Sequence, residues 1–239
     1  MIDVIPAIIP ESFEDLKEKM SEVKGLVKII QMDVCDGKFV PSKCWPYAND
    51  DGEFQNILKE DDGFPFWQDM DFEADLMIKN PELGGAEDMI KAGAKRIIIH
   101  IESSDKILDF VKKLRKEYGY FGEAAVTVEI GIGIGVNTPN AVLDKYLKAD
   151  IDGRTLADFV QFMGIEKIGY QGQEFDERVL IKIKDLRKKF PQAIISVDGG
   201  VNFENAHDLV EAGVNRLVSG SALYGSENIK EAIEEMRKS

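Results

Sequence analysis

Two apolar segments far apart in the chain each end at an aspartate that is followed closely by a glycine turn. Residues 27–37 contain Asp33, and residues 193–200 contain Asp198. In a parallel α/β protein the carboxyl ends of the strands carry the chemistry, so both carboxylates are predicted to lie on one rim. A carboxylate in such a place is costly to bury unless it is hydrogen-bonded, paired or bound to a cation. Asp33 and Asp198 are therefore a candidate acid and base pair.

Other polar residues near predicted strand ends have ordinary structural alternatives. Asp36 precedes a glycine and fits a turn aspartate better than a functional one. Strand alternation places Asp75 on the same face as Met77. Asp75 is therefore either an inward-facing ligand or an ordinary polar residue at the end of a strand. His100 ends an apolar strand, where a lone histidine is more often structural than catalytic. His207, on a predicted helix, is expected to have a surface or packing role.

Glycine-rich segments in the last third of the chain predict a phosphate site. Barrels commonly hold a phosphate with the loops after strands seven and eight, where glycine exposes backbone N–H groups. Residues 198–202 and 218–222 have this character, and residues 169–173 form a third such segment after strand six. The predicted phosphate or substrate contacts are Gly169, Gly172, Gln173, Gly199, Gly200, Gly220 and Ser221.

Short β-branched runs alternate with stretches of helical period throughout the chain, which predicts βαβ units and a parallel sheet. Strands are predicted over residues 4–9, 26–32, 72–77, 96–101, 124–130, 159–163, 193–197 and 216–218. Helices are predicted over residues 12–22, 83–92, 105–118, 140–147, 177–190, 202–212 and 228–237. Only the helix after the second strand has no clear place.

Eight such units in 239 residues match the usual size of a (β/α)₈ TIM barrel. We expect one domain over residues 1–239, with a long insertion at about residues 42–67 after strand 2. Its aromatic residues favour a lid or a subunit contact over disorder. A doubly wound sheet is the alternative, but no dinucleotide fingerprint follows the first strand. The glycines at 131, 133 and 135 have the wrong spacing for one and are expected after the fifth strand.

Composition limits the partners of the chain. There are 44 Asp and Glu residues against 30 Lys and Arg, and the formal charge of −14 repels nucleic acid and anionic membrane surfaces. No membrane span or signal peptide is evident, so we expect a cytoplasmic protein that binds neither nucleic acid nor membrane. Cys35 and Cys44 are too few for a disulfide framework or a zinc site, and are expected to be reduced thiols.

Seven segments of the chain together resemble the ribulose-phosphate 3-epimerases. The matching segments cover nearly the whole chain, at residues 5–9, 32–41, 75–77, 100–102, 169–175, 197–201 and 220–222. The string at residues 36–41, aspartate-glycine-lysine-phenylalanine-valine-proline, is specific to that family among phosphate-binding barrels. The resemblance implies a TIM barrel of the ribulose-phosphate-binding type.

The resemblance also implies an activity. Members of the family resemble metal-dependent isomerases of the pentose phosphate pathway, which interconvert ribulose 5-phosphate and xylulose 5-phosphate by proton transfer at C3. Asp33 and Asp198 match the two aspartates that move the proton. Met32, Met77 and Met163 would form an apolar pocket wall. A phosphorylated ketose substrate and a homo-oligomer are further implications.

The chain departs from the family where a metal would bind. Two histidine ligands of the family pattern are replaced by Gln31 and Asp75. One interpretation is an all-oxygen ligand set of Gln31, Asp33, Asp75 and Asp198, which favours a hard divalent ion such as Mg²⁺ or Mn²⁺. The other is that metal binding is lost, in which case the converging carboxylates would take up protons.

Two smaller departures accompany these. Ala7 stands where the family usually has serine, and residues 168–172 replace a proline-glycine-phenylalanine-glycine-glycine loop. Two alternatives to the epimerase therefore remain: another sugar-phosphate enzyme of the same barrel superfamily, and a non-catalytic sugar-phosphate-binding relative. The lysine that Schiff-base chemistry needs at a strand end is not evident.

Overall fold

The strands of this computed structural model follow one another around a closed barrel in chain order. The structure describes residues 2–119, 126–148, 154–170 and 172–239. Every neighbouring pair is parallel, and β1 pairs with β8 to close the barrel. The strands are β1 (Asp3–Ile8), β2 (Ile29–Cys35), β3 (Asp71–Met77), β4 (Arg96–His100), β5 (Glu129–Ile134), β6 (Phe159–Met163), β7 (Ile194–Asp198) and β8 (Arg216–Ser219). The predicted (β/α)₈ barrel is confirmed.

Helices connect the strands and bury their apolar faces against the barrel. Ser12 caps the first of them by accepting a hydrogen bond from the backbone N–H of Asp15, and Asn228 caps the last in the same way. Within the described ranges, none of the helices has the length and apolar character to cross a membrane. The helices are α1 (Phe13–Val23), α2 (Glu53–Leu58), α3 (Gly85–Lys91), α4 (Ile107–Tyr118), α5 (Asp144–Leu147), α6 (Arg178–Lys189), α7 (Ala206–Ala212), α8 (Ser221–Tyr224) and α9 (Ile229–Met236).

Strand β2 is longer at its carboxyl end than predicted. It pairs with β3 from Ile29 to Cys35, so Asp33 lies within the strand rather than after it. The carboxylate interrupts the apolar run in the sequence, but Asp33 remains paired with Asp75 in the register of the two strands. Alternation then places Met32 on the opposite face, in the core between strands and helices. The predicted place of Met32 on the pocket wall is therefore wrong.

Strand β5 contains two of the three glycines that were expected after it, whereas Gly135 does follow the strand. Gly131 and Gly133 pair with both neighbouring strands, whereas residues 124 and 125 of the predicted strand lie outside the described ranges. A Cβ at Gly131 would lie 2.4 Å from the ring of Phe159, and one at Gly133 would lie 3.0 Å from Nδ1 of His100. Glycine is thus required here because large inward side chains of adjacent strands use the space.

The long connection between β2 and β3 is packed onto the barrel through its aromatic residues. Trp45 is fully buried, with its ring centroid 5.2 Å from that of Phe13 and 5.5 Å from that of Phe54. Phe64 stacks on Phe72 of β3 with centroids 3.7 Å apart. These side chains anchor the connection. A role as a lid or subunit contact stays a prediction, for which Trp67, 65% exposed, and Tyr47, 38% exposed, are available side chains.

A charge network closes the amino-terminal end of the barrel. Arg96 contacts Glu73 at 3.2 Å and Glu129 at 2.6 Å, and Glu129 also lies 3.5 Å from Arg216. The Glu73 side chain is fully buried, so its charge depends on these neighbours. The network forms the layer of inward side chains that lies two residues before Asp75 and Asp198 on their strands. Its charges pair with one another rather than with the aspartates, which indicates a structural role.

Arg96→Met is expected to lower the free energy of unfolding by about 3 to 5 kcal/mol, because it leaves a buried carboxylate without its partner. Chemical denaturation measures this loss. Arg178→Met is the matched control, since Arg178 pairs with Asp176 on the surface and its loss should change stability little. Equal stability of the two variants would contradict the structural role of the network.

Candidate active site

Three buried aspartates converge at the carboxyl end of the barrel. Asp33 and Asp75 are opposite each other on the paired strands β2 and β3, and Asp198 ends β7. One carboxylate oxygen from each residue lies within 4.8 Å of the others. Asp75 has no exposed surface, whereas Asp33 and Asp198 are 5% and 8% exposed at the floor of a cavity. The two residues predicted as acid and base are therefore the ones within reach of a ligand.

Gln31 joins the two carboxylates that reach the cavity. Its Nε2 donates one hydrogen bond to Oδ1 of Asp33 at 2.7 Å and another to Oδ2 of Asp198 at 2.8 Å. Both hydrogens of the amide are thereby used. The Gln31 Oε1 atom is buried, and no donor among the described residues reaches it. Gln31 thus fixes the spacing of Asp33 and Asp198 across the barrel.

Asp75 is held by two further residues, and neither was predicted to belong to the site. His100 Nε2 lies 2.9 Å from Asp75 Oδ1, and Gln161 Nε2 donates to Asp75 Oδ2 at 3.3 Å. His100 was expected to be structural, yet it contacts a member of the aspartate cluster. Gln161 was not singled out at all. The available signal was a polar side chain at the centre of the apolar strand β6, on the same face as Met163.

The carboxylates shift one another's protonation. Burial, followed by repulsion from Asp198 and Asp75, raises the pKa of Asp33 well above its usual range. Burial and the Asp75 charge raise the pKa of Asp198 to about 7, against the lowering effect of Gln31. Burial lowers the pKa of His100, but the neighbouring Asp75 outweighs it and the pKa is raised overall. Such a cluster binds either protons or a cation at neutral pH.

The donor set fits a hard divalent cation. Three carboxylate oxygens in this proximity are the kind of ligands that Mg²⁺ and Mn²⁺ prefer. Gln31 offers a fourth oxygen, Oε1, which has no partner in the described part of the chain. Presenting it to a cation would turn the amide over and exchange the two Nε2 hydrogen bonds to Asp33 and Asp198 for that contact. The described residues therefore offer a cluster that could hold a metal ion.

The cavity above the aspartates is lined by the predicted phosphate residues. Six of the seven line it, namely Gly169, Gly172, Gly199, Gly200, Gly220 and Ser221. Gln173 is the exception and does not line the cavity. Met77 and Met163 form part of the wall, as predicted, whereas Met32 does not. Asp33 and Asp198 share this cavity with the glycine loops, so a ligand can touch both.

Asp36 and the two cysteines support the site without facing the cavity. Asp36 Oδ1 accepts the backbone N–H groups of Lys38 and Phe39 at 2.8 and 2.9 Å, and Oδ2 accepts that of Lys79 at 2.9 Å. These bonds confirm a turn aspartate that ties the loop after β2 to the one after β3. Cys35 and Cys44 are free, buried thiols, also as expected.

The glycine loop after β7 is shaped by close contact with the loop after β6. Gly200 has a φ of +68°, and a Cβ there would lie 2.8 Å from the Cα of Phe175. A side chain at this position would push Gly200, which lines the cavity, away from the backbone of Phe175.

Gly200→Ala is expected to raise the KM for a phosphorylated substrate by about tenfold or more, since small displacements in a positioning loop are costly. Steady-state kinetics checks this. Gly25→Ala is the matched control, because Gly25 also has a positive φ of +78° but a Cβ there would have no neighbour within 4 Å. A wild-type KM in Gly200→Ala would argue against a role of this loop in binding.

Comparison with known proteins agrees with this geometry. Residues 3–224 match the model of the family described as the ribulose-phosphate 3 epimerase family. The ribulose-phosphate 3-epimerase of Bacillus subtilis is 32% identical, with both chains covered completely. The chloroplastic ribulose-5-phosphate-3-epimerase of Arabidopsis thaliana is 31% identical over 100% of this chain and 77% of that protein.

Solved structures with lower sequence identity share the fold. The 3-hexulose-6-phosphate synthase of Salmonella typhimurium superposes with a TM-score of 0.65 at 14% identity, covering 99% of this chain and 97% of that one. The 3-keto-L-gulonate-6-phosphate decarboxylase of Vibrio cholerae superposes with a TM-score of 0.65 at 16% identity, covering 99% and 95%. At these identities, the two structures show only that this chain shares their barrel fold. The family model and the two epimerases place this chain in the ribulose-phosphate 3-epimerase family.

Proposed function

We propose that this chain is an isomerase that interconverts ribulose 5-phosphate and xylulose 5-phosphate by moving a proton at C3. The observation that carries the proposal is the pair of carboxylates on β2 and β7, which share the floor of one cavity and are spaced by a single amide. Epimerisation at a carbon next to a carbonyl needs a base on one face and an acid on the other. Asp33 and Asp198 supply these two groups.

In the proposed reaction one aspartate removes the C3 proton and the other, in its protonated form, donates a proton to the opposite face. The C–H bond electrons pass into a planar enediolate and return to the new C–H bond. Burial and repulsion from neighbouring carboxylates raise the pKa of both residues, which suits the one that acts as the acid, because an acid must keep its proton near neutral pH. Each positioned acid or base typically contributes about 10²- to 10⁴-fold in rate.

A divalent ion held by Asp33, Asp75, Asp198 and Gln31 would polarise the substrate oxygens at C2 and C3 and stabilise the developing negative charge. We infer a hard ion such as Mg²⁺ or Mn²⁺ from the all-oxygen set. When no ion is bound, Gln31 holds the two carboxylates at a fixed spacing through its Nε2, and Met77 and Met163 limit the access of water. Both methionines line the cavity directly above the aspartates.

The phosphate of the substrate is proposed to bind the glycine loops after β6, β7 and β8. These loops contribute Gly172, Gly200 and Gly220, among others, to the cavity that contains Asp33 and Asp198. Backbone N–H groups that glycine exposes are suitable donors for phosphate oxygens. Among the described residues that line the cavity there is no lysine, so Schiff-base chemistry lacks its nucleophile there.

The test is incubation of purified protein with ribulose 5-phosphate and, in separate reactions, Mg²⁺, Mn²⁺, Fe²⁺ or Zn²⁺. We expect xylulose 5-phosphate to form and, in deuterated water, deuterium to enter at C3. Binding of ribulose 5-phosphate with no product and no exchange under any ion would instead indicate a non-catalytic relative. Conversion of another sugar phosphate in place of ribulose 5-phosphate would favour the other alternative, a different enzyme of the same superfamily.

A further inference from the structure

Asp75 is an unusual member of the aspartate cluster because it does not reach the cavity. It has no exposed surface, yet one of its oxygens belongs to the group of three that lie within 4.8 Å of one another. A buried carboxylate in such a group needs donors that hold it in place. Both of its oxygens have such donors, one from His100 and one from Gln161.

The imidazole ring of His100 is confined by its neighbours. Its ring lies against Phe39, with ring centroids 5.5 Å apart, and against Gly133 on the neighbouring strand. An ionised carboxylate can only accept hydrogen bonds, so the Nε2 atom that meets Asp75 carries the N–H. Nδ1 is buried without a partner among the described residues. His100 therefore donates to Asp75 through its only engaged nitrogen and cannot use that nitrogen as a ligand.

A carboxylate offers about four lone-pair positions, two on each oxygen. His100 and Gln161 each use one position, which leaves one on each oxygen of Asp75 available to a cation. In many metal sites a carboxylate orients a ligating histidine from behind. Here the two roles are exchanged. Asp75 is the candidate ligand, next to Asp33 and Asp198, and His100 is the residue that supports it.

We propose that His100, assisted by Gln161, is a positioning residue that holds Asp75 as a cation ligand. The inference rests on the proposed function and deepens it, because it identifies the residues that orient Asp75, the third carboxylate of the cluster. His100 acts through Asp75 and touches neither substrate nor cation. The cation class that it serves is a hard divalent ion, since the ligand it presents is an oxygen.

The test is titration of chelator-treated, dialysed protein with Mn²⁺, following free Mn²⁺ by electron paramagnetic resonance without substrate. His100→Leu removes the donor and is expected to weaken Mn²⁺ binding by about 10- to 100-fold, the usual cost of losing such a supporting residue. His100→Gln keeps an N–H donor and should recover most of the affinity. His207→Leu, at an exposed histidine on α7, is the matched control and should bind as the wild type does.

A merely structural role of His100 is distinguished by a double-mutant cycle. In an Asp75→Ala background, His100→Leu should cause no further loss of Mn²⁺ affinity, because its partner is gone. If His100→Leu does not fold, Gln161→Met replaces it and should show a smaller loss in the same direction, since its bond to Asp75 is longer at 3.3 Å.

Wild-type affinity in folded His100→Leu, or an undiminished loss in the Asp75→Ala background, would overturn the inference. So would wild-type protein that binds no Mn²⁺. Turnover of ribulose 5-phosphate is measured separately, so an active enzyme with unchanged Mn²⁺ binding in His100→Leu would refute the role of His100 and leave the proposed function standing.

Discussion

Asp33→Asn and Asp198→Asn are each expected to lower kcat for the interconversion of ribulose 5-phosphate and xylulose 5-phosphate by about 10²- to 10⁴-fold. Asparagine has nearly the same shape as aspartate but cannot exchange a proton in this reaction. Both side chains are at the cavity floor, so the loss belongs to the chemical step rather than to access. A coupled assay for xylulose 5-phosphate measures it.

Asp208→Asn provides the control for the loss of one carboxylate, because Asp208 is exposed on α7 away from the cavity. Its kcat should equal that of the wild type. The double variant Asp33→Asn with Asp198→Asn should be scarcely slower than either single variant, because the two groups act as a unit. Wild-type turnover in either single variant would exclude that residue from the proton transfer.

Removal of divalent ions has the second large expected effect. After chelation and dialysis, kcat should fall by about 10²-fold or more, since the charge stabilisation that a cation supplies is worth several kcal/mol. Mg²⁺ or Mn²⁺ should restore turnover better than Zn²⁺, because Asp33, Asp75, Asp198 and Gln31 offer oxygen rather than nitrogen. Metal content by elemental analysis accompanies the assay.

Full turnover by protein shown to contain no metal would contradict the metal prediction. In that case the three carboxylates would have to function with bound protons, which is the other interpretation of Gln31 and Asp75. Best activity with Zn²⁺ would contradict only the choice of a hard ion. The two outcomes are separated by measuring turnover and metal content on the same samples.

Much of the barrel and of the cavity was predictable because it depends on local patterns. The position of polar residues at strand ends was enough to place Asp33 and Asp198 at one end of the barrel, and glycine spacing located six of the residues that line the cavity. The patterns left the role of Asp75 open, and only the family resemblance implied a ligand there. Met32 was wrongly assigned to the pocket wall because that assignment came from the family resemblance and not from the alternation along β2. Its two neighbours, Gln31 and Asp33, both face inward, so Met32 cannot.

The contacts of Asp75 were not predictable in the same way. His100 is on β4 and Gln161 is on β6, so their approach to Asp75 depends on barrel closure and on small residues across the interior. Gly133 leaves room for the His100 ring, which no pattern along a single strand reveals. Distances between strands, rather than periodicity along them, decide which polar side chains meet.

The two-sided proton transfer is tested most directly by deuterium incorporation at C3 in the single variants, with each epimer supplied separately in deuterated water. Asp33→Asn and Asp198→Asn each keep one carboxylate, on opposite faces of the substrate. The account predicts that each variant exchanges the C3 proton of one epimer only, that the two variants select different epimers, and that neither interconverts them at the wild-type rate. Exchange of the same epimer by both variants would contradict it.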